Sequence, residues 1–328
     1  MVACFGELLL RFSPAANGAW IEQCSMPVYI GGAEFNVATA LANWDVAVKY
    51  ITALPPNQLT AAIINLMQHK NIRTNGIQQQ GDRIGLYYLP AHADLKNPGV
   101  IYDRAGSSFS MLKTGTLHWP GLLQSCSWFH FSAITPALNS DMPALCTEAL
   151  QAAKQQGITV SVDLNHRPKL WQYGQQPSTV MPGLMQYCDV VMGNVWSAQQ
   201  LLGIRHDIAD GDTSFNTLTA AADKCIQQIQ LNWPQVKTIA LTFRMADTYF
   251  AVLHQHQQTI TSAIIPIKNI INQAGSGDCF MAGLIYGIRK QWPVLQTVNF
   301  AVTAATGKLY EPGDYTLQTL AQIFTRLP

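Results

Sequence analysis

Charge is scarce in this chain. Asp, Glu, Lys and Arg make up 12% of its 328 residues, about half the usual share, and glutamine supplies surface polarity in their place. The formal net charge is +1, with no basic patch or charge block, which argues against a nucleic acid or an anionic membrane as partner. The seven cysteines are odd in number and form no C-x-x-C pair. Scattered in this way they read as reduced, mostly buried thiols of a cytoplasmic protein. The N-terminus has no basic leader, Glu7 interrupts its short apolar run, and no stretch reaches the length of a membrane span. No internal repeat or low-complexity linker is present. What is abundant is apolar. Hydrophobic residues reach 48%, enough for a large core in one big α/β unit or in two smaller ones.

One short segment concentrates chemistry. Asn272-Gln273-Ala274-Gly275-Ser276-Gly277-Asp278-Cys279-Phe280 sets small residues and a carboxylate where a loop enters a helix predicted over 276–290. Backbone N–H groups at a helix start lack partners and carry the positive end of the helix dipole, so they hold anions. Gly275 and Gly277 let the backbone approach a ligand with no Cβ in the way. A carboxylate in such a turn would repel a phosphate unless it has another task, such as taking a proton from an attacking hydroxyl. That combination points to phosphoryl transfer onto an alcohol. Small-residue turns with an Asp also open many helices that bind nothing, and the segment alone leaves both readings open.

Along the chain, apolar strands alternate with amphipathic helices. Residues 2–5 read as a first strand. Residues 33–44 read as a helix after a Gly-Gly turn, with Phe35, Val37, Ala38, Leu41 and Ala42 at helical spacing. An aromatic-rich strand is predicted over 125–132. A helix follows over 141–156, with Ser140 or Asp141 as N-cap and Gly157 as its stop. Residues 158–163 form a buried strand ending in a carboxylate, and 189–192 and 237–242 repeat the theme. Such alternation predicts an α/β fold with a doubly wound, mostly parallel sheet flanked by helices, whose ligands sit at the carboxyl ends of the strands. Two segments, about 12–30 and 82–113, break the rhythm with strand-like pieces at 84–89 and 100–102 and no helix between. Too short for a domain of their own, they are expected to form a small β-sheet lid on a single domain spanning 1–328, keeping water from the transfer site.

Gly31-Gly32-Ala33-Glu34-Phe35-Asn36-Val37-Ala38 and the turn from Gly275 to Asp278 resemble the two signatures of the ribokinase (PfkB) family of sugar kinases. Within it the chain is most similar to 2-keto-3-deoxygluconate kinases. The similarity runs nearly the whole length, through Gly6-Glu7 with Arg11-Phe12, Gly85-Leu86-Tyr87-Tyr88 and Ile101-Tyr102-Asp103-Arg104-Ala105. It continues in Phe129-His130-Phe131 with Ile134-Thr135-Pro136-Ala137-Leu138, and in Asp163-Leu164-Asn165-His166-Arg167. The resemblance implies a ribokinase-like fold and an ATP-dependent kinase, with Mg2+ carried by the nucleotide. It implies phosphorylation of the 6-hydroxyl of 2-keto-3-deoxygluconate. A fructokinase or other neutral-sugar kinase, and a non-catalytic sugar-acid binding protein, remain as alternatives.

The same resemblance assigns roles. Asp278 is expected as the base that accepts the hydroxyl proton, and Gly275, Ser276 and Gly277 as the anion hole for the transferred phosphoryl group. Gly32, Asn36, Tyr87, Tyr102, Arg104, Arg167 and Asp314 fall on substrate-side positions. A guanidinium fork binds a carboxylate bidentately, so Arg104 and Arg167 are what an acid sugar calls for. Other readings stay open at this level: a helix-start cap for Asn36, lid packing for Tyr87 and Tyr102, ion pairs for the arginines, a turn residue in Asp314. Asn165, Asn194, Thr242, Arg244, Gly275, Gly277 and Ala304 fall on the nucleotide side, and Ala301, Ala304, Ala305 and Gly307 equally suit close helix packing.

The chain also departs from the family pattern. Asn194-Val195-Trp196-Ser197 has Ser197 where a glutamate is usual, Arg244 stands where many relatives have glycine, and Asn272 replaces an aspartate tied to any monovalent-cation site. Use of a monovalent cation is therefore left undecided. No Walker-type lysine loop is present, so a P-loop is not the source of ATP binding. His118, His130, His166, His254 and His256 form no ligand-spaced metal set, and His254 and His256 read as exposed strand or turn residues. Pairing of two lids into a homodimer is the expected assembly.

Overall fold

The structure is a computed structural model that describes residues 1–14, 25–90 and 99–328. Parts of both predicted lid segments, and Cys24, lie outside those residues. Among the described residues a ten-stranded sheet forms the body. The strand Val2–Phe5 pairs in parallel with Val48–Leu54 on one side and Trp128–Ser132 on the other. From Trp128–Ser132 the parallel order continues through Thr159–Asp163, Val190–Gly193 and Thr238–Arg244. The chain thus winds outward in one direction from its first strand, returns beside it, and winds outward in the other. That reversal opens a crevice at the strands' carboxyl ends.

Burial explains the doubly wound form. Along Val2–Phe5, Ala3 and Phe5 join one apolar cluster and Val2 and Cys4 the other, because successive side chains of a strand face opposite ways. The first cluster packs the helices Met142–Gln155, Pro177–Met185, Val195–Leu202 and Phe215–Asn232. The second packs Ala33–Asn43, Gln58–His69, Ser276–Arg289 and Val294–Lys308. With both faces covered, the strands read as near-continuous apolar runs.

Element ends shift from expectation for local reasons. The aromatic strand starts at Trp128, since Ser125 takes a positive φ of 65° that extended backbone does not tolerate. The helix Met142–Gln155 begins after Asp141, whose side chain makes no cap bond. Asn139 Oδ1 instead accepts from the Asp141 N–H at 3.0 Å. Gly157 stops that helix at φ 68°. Thr238–Arg244 runs two residues past its expected end because the antiparallel strand Thr248–Gln255 pairs Arg244 with Tyr249. His254 corrects an expectation. It is 9% exposed and lies between Gln230 Nε2 at 2.7 Å and Thr259 Oγ1 at 2.9 Å, whereas His256 is exposed in the turn.

The smaller sheet has four strands in the order Val28–Gly31, Leu9–Phe12, Gly85–Tyr88, Ile101–Asp103. It starts earlier than predicted, at Leu9, with only three residues between it and the end of the first body strand. Leu9–Phe12 pairs antiparallel with Val28–Gly31 and parallel with Gly85–Tyr88. Leu9 and Tyr87 of this sheet, with Leu89 and Val100 beside its strands, pack on Ala274, in the loop before the 275–277 turn.

Candidate active site

Two adjoining cavities open at the carboxyl ends of the body strands. The larger, of about 120 Å³, is lined by Asp163, Asn165, Gly193, Asn194, Ser197, Thr242 and Arg244 and by the turn from Gly275 to Asp278. The smaller, of about 50 Å³, is lined by Gly32, Asn36, Tyr87, Tyr102, Arg104, Asp314 and apolar neighbours, under the smaller sheet. Asn165, Arg167, Gly275 and Asp278 line both. All substrate-side residues expected from sequence fall in the smaller cavity. The expected nucleotide-side residues fall in the larger one, Ala304 excepted.

At the junction the helix Ser276–Arg289 begins. Its N-cap, Gly275, has φ 81° and offers no side-chain cap to the first-turn N–H groups, which face the larger cavity. Glycine is required there twice over: the conformation is left-handed, and a Cβ would overlap the Asp314 carbonyl oxygen. Gly32, at φ 130°, is pinned in the same manner against the Glu7 carbonyl. Asp278 is 7% exposed and accepts from Asn36 Nδ2 at 2.7 Å. Burial pushes its carboxyl up to about 7. The Asn36 hydrogen bond and the Arg167 charge oppose that shift, while Glu34 and Asp314 add to it. A carboxyl poised near neutral pH is suited to taking up a proton. Asn36 sits inside the first turns of its helix, with Gly32 at the N-cap, so it is no capping residue. Its Oδ1 is buried without a partner, in a residue that lines the smaller cavity.

Two buried ion pairs wall that cavity. Arg104 Nη2 lies 2.6 Å and Nε 2.7 Å from Glu7 Oε2, and Ser107 donates to Glu7 Oε1. Arg11 Nε meets Asp314 Oδ1 at 2.6 Å, and Tyr87 Oη donates to Asp314 Oδ2. Both pairs are under 8% exposed. The bidentate fork expected of Arg104 is thus engaged within the protein, and its guanidinium stands 5.8 Å over Tyr102. Arg167 differs. It is half-buried, its Nη1 donates to the His166 carbonyl at 3.2 Å, and it lines both cavities.

In the larger cavity, Asn194 caps the helix Val195–Leu202 by accepting from the Ser197 N–H at 2.8 Å. Thr242 Oγ1 donates to the Gly193 carbonyl at 3.2 Å. Ala304 lines neither cavity. Its carbonyl accepts from Cys279 Sγ and that of Ala305 from Ser276 Oγ, and Ala301 fills the space over Gly283. In this structure the small residues of that helix let two helices pack closely. Among the described residues no group of three or more His, Cys, Asp or Glu side chains converges to hold a metal ion.

Sequence reasoning missed Glu7, Arg11, Glu34 and Lys308. Glu7 left a signal, a charge inside an apolar run, and so did Lys308, a lone cation in the apolar stretch 298–309. Neither signal names the partner. Glu34, fully buried, accepts from the Ser132 N–H at 2.8 Å, and burial raises its carboxyl above the ordinary range.

A doubly wound body, an uncapped helix start beneath a buried carboxylate, and a separate sheet over the cleft define a phosphotransferase acting on an alcohol. Residues 1–319 match the pfkB family carbohydrate kinase, and the chain belongs to that family of sugar kinases. It is similar to 2-dehydro-3-deoxygalactonokinase of Haloferax volcanii, 25% identical over 321 residues, 96% of this chain and 92% of that protein. The crystal structure of 2-dehydro-3-deoxygluconokinase from Thermotoga maritima has a TM-score of 0.89 and 32% identity, covering 99% of this chain and 98% of that one. A fructokinase from Xylella fastidiosa with bound ATP shares the fold at a TM-score of 0.78 and 19% identity, covering 99% and 97%.

Proposed function

We propose that this sugar kinase phosphorylates the 6-hydroxyl of 2-keto-3-deoxygluconate, with ATP as donor. The observation that carries the reading is Asp278, buried at the junction of the two cavities with its carboxyl near neutral pH. Relatives and neighbours named for deoxy-keto sugar acids support the substrate class.

In the proposed reaction the sugar acid occupies the smaller cavity and the triphosphate the larger. Asp278 takes the proton of the acceptor hydroxyl as its oxygen attacks the γ-phosphorus. The bond from γ-phosphorus to the bridging oxygen breaks, and ADP leaves with the electron pair. The N–H groups of the 275–277 turn stabilise the charge on the transferred group. Asn165, Asn194, Thr242 and Arg244 line the space for the nucleotide. Mg2+ arrives with ATP and screens the phosphate charge. Asp163 and Ser197, among the residues that line this cavity, would offer oxygen atoms to its hydration shell. Asn36 Oδ1 offers an acceptor to a sugar hydroxyl.

The carboxylate of the sugar acid is assigned first to Arg167, because Glu7 already engages the Arg104 fork. The smaller sheet acts as a lid on a single kinase domain. We assign the enzyme to the cytoplasm, as a homodimer joined through the exposed Val28 and Ile101 faces of two lids; gel filtration showing a monomer at micromolar concentration removes that assembly.

ADP release measured over a panel of sugars and sugar acids tests the reaction. The expected result is highest kcat/KM with 2-keto-3-deoxygluconate. Preferential use of fructose would establish a neutral-sugar kinase. Thermal stabilisation by sugar acids without turnover would establish a binding protein.

A further inference from the structure

Lys308, at 0% exposure, is wholly buried at the end of a helix in which it is the one charged residue. Nothing in the reaction above uses it. A lysine loses much hydration on burial, and burial lowers its pKa first, against the raising effects of Glu311 and Asp314. Its Nζ is held by a carbonyl, that of Glu311, at 3.2 Å. Its stem lies under the anion-binding turn: a Cβ on Gly275 would sit 3.3 Å from Lys308 Cε, with the Asp314 carbonyl on the same glycine. Besides Glu311 and Asp314, Cys279 and Arg11 are the titratable groups that act on it.

Asn272 completes the arrangement. Its Nδ2 donates to the carbonyls of Pro312 and Gly313, at 2.9 Å each, and its Oδ1 accepts from the Ala274 N–H at 3.0 Å. The 272–274 loop is therefore tied to 312–313 by an amide. A small cation bound between these loops would draw on those same carbonyl oxygens, which the Asn272 amide already occupies. The amide provides donors where such a cation provides charge, so the residues present do not fit a bound monovalent ion.

We infer that Lys308 and Asn272 are a built-in counterpart of a monovalent cation, holding the 272–278 loop and its anion-binding turn in place with the chain's own positive charge and donors. Lys308 is on this account a positioning residue. The inference rests on the kinase reading, since it concerns the rate of that reaction.

The test starts from wild-type protein assayed by ADP release on the best substrate of the panel, with tetramethylammonium as the sole monovalent cation. Adding potassium chloride in place of tetramethylammonium chloride, at equal ionic strength, is expected to leave the rate unchanged. Lys308→Met is expected to lose about tenfold to a hundredfold in kcat, less than removal of an anion-hole donor, with KM for the sugar acid little altered. Potassium or ammonium should restore part of that loss. Strong potassium activation of the wild type, or an unimpaired Lys308→Met, overturns the inference. A second arm needs no turnover: the melting temperature of Asn272→Asp is expected to rise with potassium and not with tetramethylammonium, while that of the wild type does not respond. An equal response of both proteins also overturns it. Absence of turnover by the wild type on every sugar acid would count against the substrate reading, and the melting arm would still decide this one.

Discussion

The two halves of the cleft are polar by different means. On the sugar side, charges meet across long stretches of chain: Glu7 with Arg104, 97 residues apart, and Arg11 with Asp314, 303 apart. Each pair ties the smaller sheet to another part of the fold and leaves little of itself in water. On the proposed nucleotide side, polar groups are held by neutral hydrogen bonds, Asn194 by the Ser197 N–H and Thr242 by the Gly193 carbonyl, and a carboxylate is missing at residue 197. The sugar side is thus pre-built and internally neutral, which suits recognition of one ligand. The nucleotide side leaves much of the charge compensation to a ligand that brings its own cation.

Breaking the junction between the halves should have the largest effect. Asp278→Asn is expected to reduce kcat by about a thousandfold or more, near the upper range for a positioned base, with sugar-acid binding retained in calorimetry. In the wild type, kcat/KM should rise with pH as Asp278 loses its proton near 7. The stability sign follows from the raised pKa. The group favours the folded state below its unfolded value, and that contribution is lost as pH rises toward 7. Asp278→Asn should therefore melt above the wild type at pH 8, by an amount equivalent to a few kcal/mol, and the gap should narrow toward pH 5.

Breaking the pre-built side comes next. Glu7→Ala leaves Arg104 buried without its partner and should cost about 3–5 kcal/mol of stability, read in denaturant unfolding. Arg167→Ala separates recognition from stability. Loss of one charge-assisted contact, about 1.5–3 kcal/mol, should raise KM for the sugar acid about tenfold to a hundredfold while fructose use is unchanged. An equal loss for both substrates would remove the carboxylate role. The smallest effect is expected on the nucleotide side. Ser197 is the third residue of a helix capped by Asn194, so Ser197→Glu creates a capping box and places a negative charge at a helix start. A stability gain of about 0.5 kcal/mol should follow, together with a lower Mg2+ requirement in titrations of the rate. A fall in ATP affinity would show instead that this cavity does not admit another carboxylate.

Much of this arrangement was legible in the sequence because it is local. The strand end at Asp163 is punctuated by the chain itself, and the 275–278 turn carries its helix start and its carboxylate within a few residues. The gathering of the motif residues, Ala304 excepted, around two adjoining cavities follows likewise, since a doubly wound sheet brings strand ends and helix starts to one edge. What sequence could not supply is long-range pairing. Arg104 looked available for a ligand until Glu7 was found against it, and nothing near Asp314 marks it as the partner of Arg11. Ala304 could be read as an adenine wall or as helix packing, and only the contact across Gly283 and Cys279 distinguishes them. His254 looked exposed because its strand lies near the sheet edge, yet Gln230 and Thr259 enclose it.

The distance in sequence between Arg11 and Asp314 bears on how the protein is made. Synthesis runs from N- to C-terminus, so the strand Leu9–Phe12 is made with a cationic side chain destined for burial well before its partner. Its counter-charge, and the Asp314 carbonyl that fixes Gly275, follow 303 residues after Arg11. A nascent chain can assemble most of the sheet before residue 314 appears, but its cover stays unlatched and its anion-binding turn unsupported. The smaller sheet and the 275–277 turn therefore reach their final packing only after residue 314 has been made.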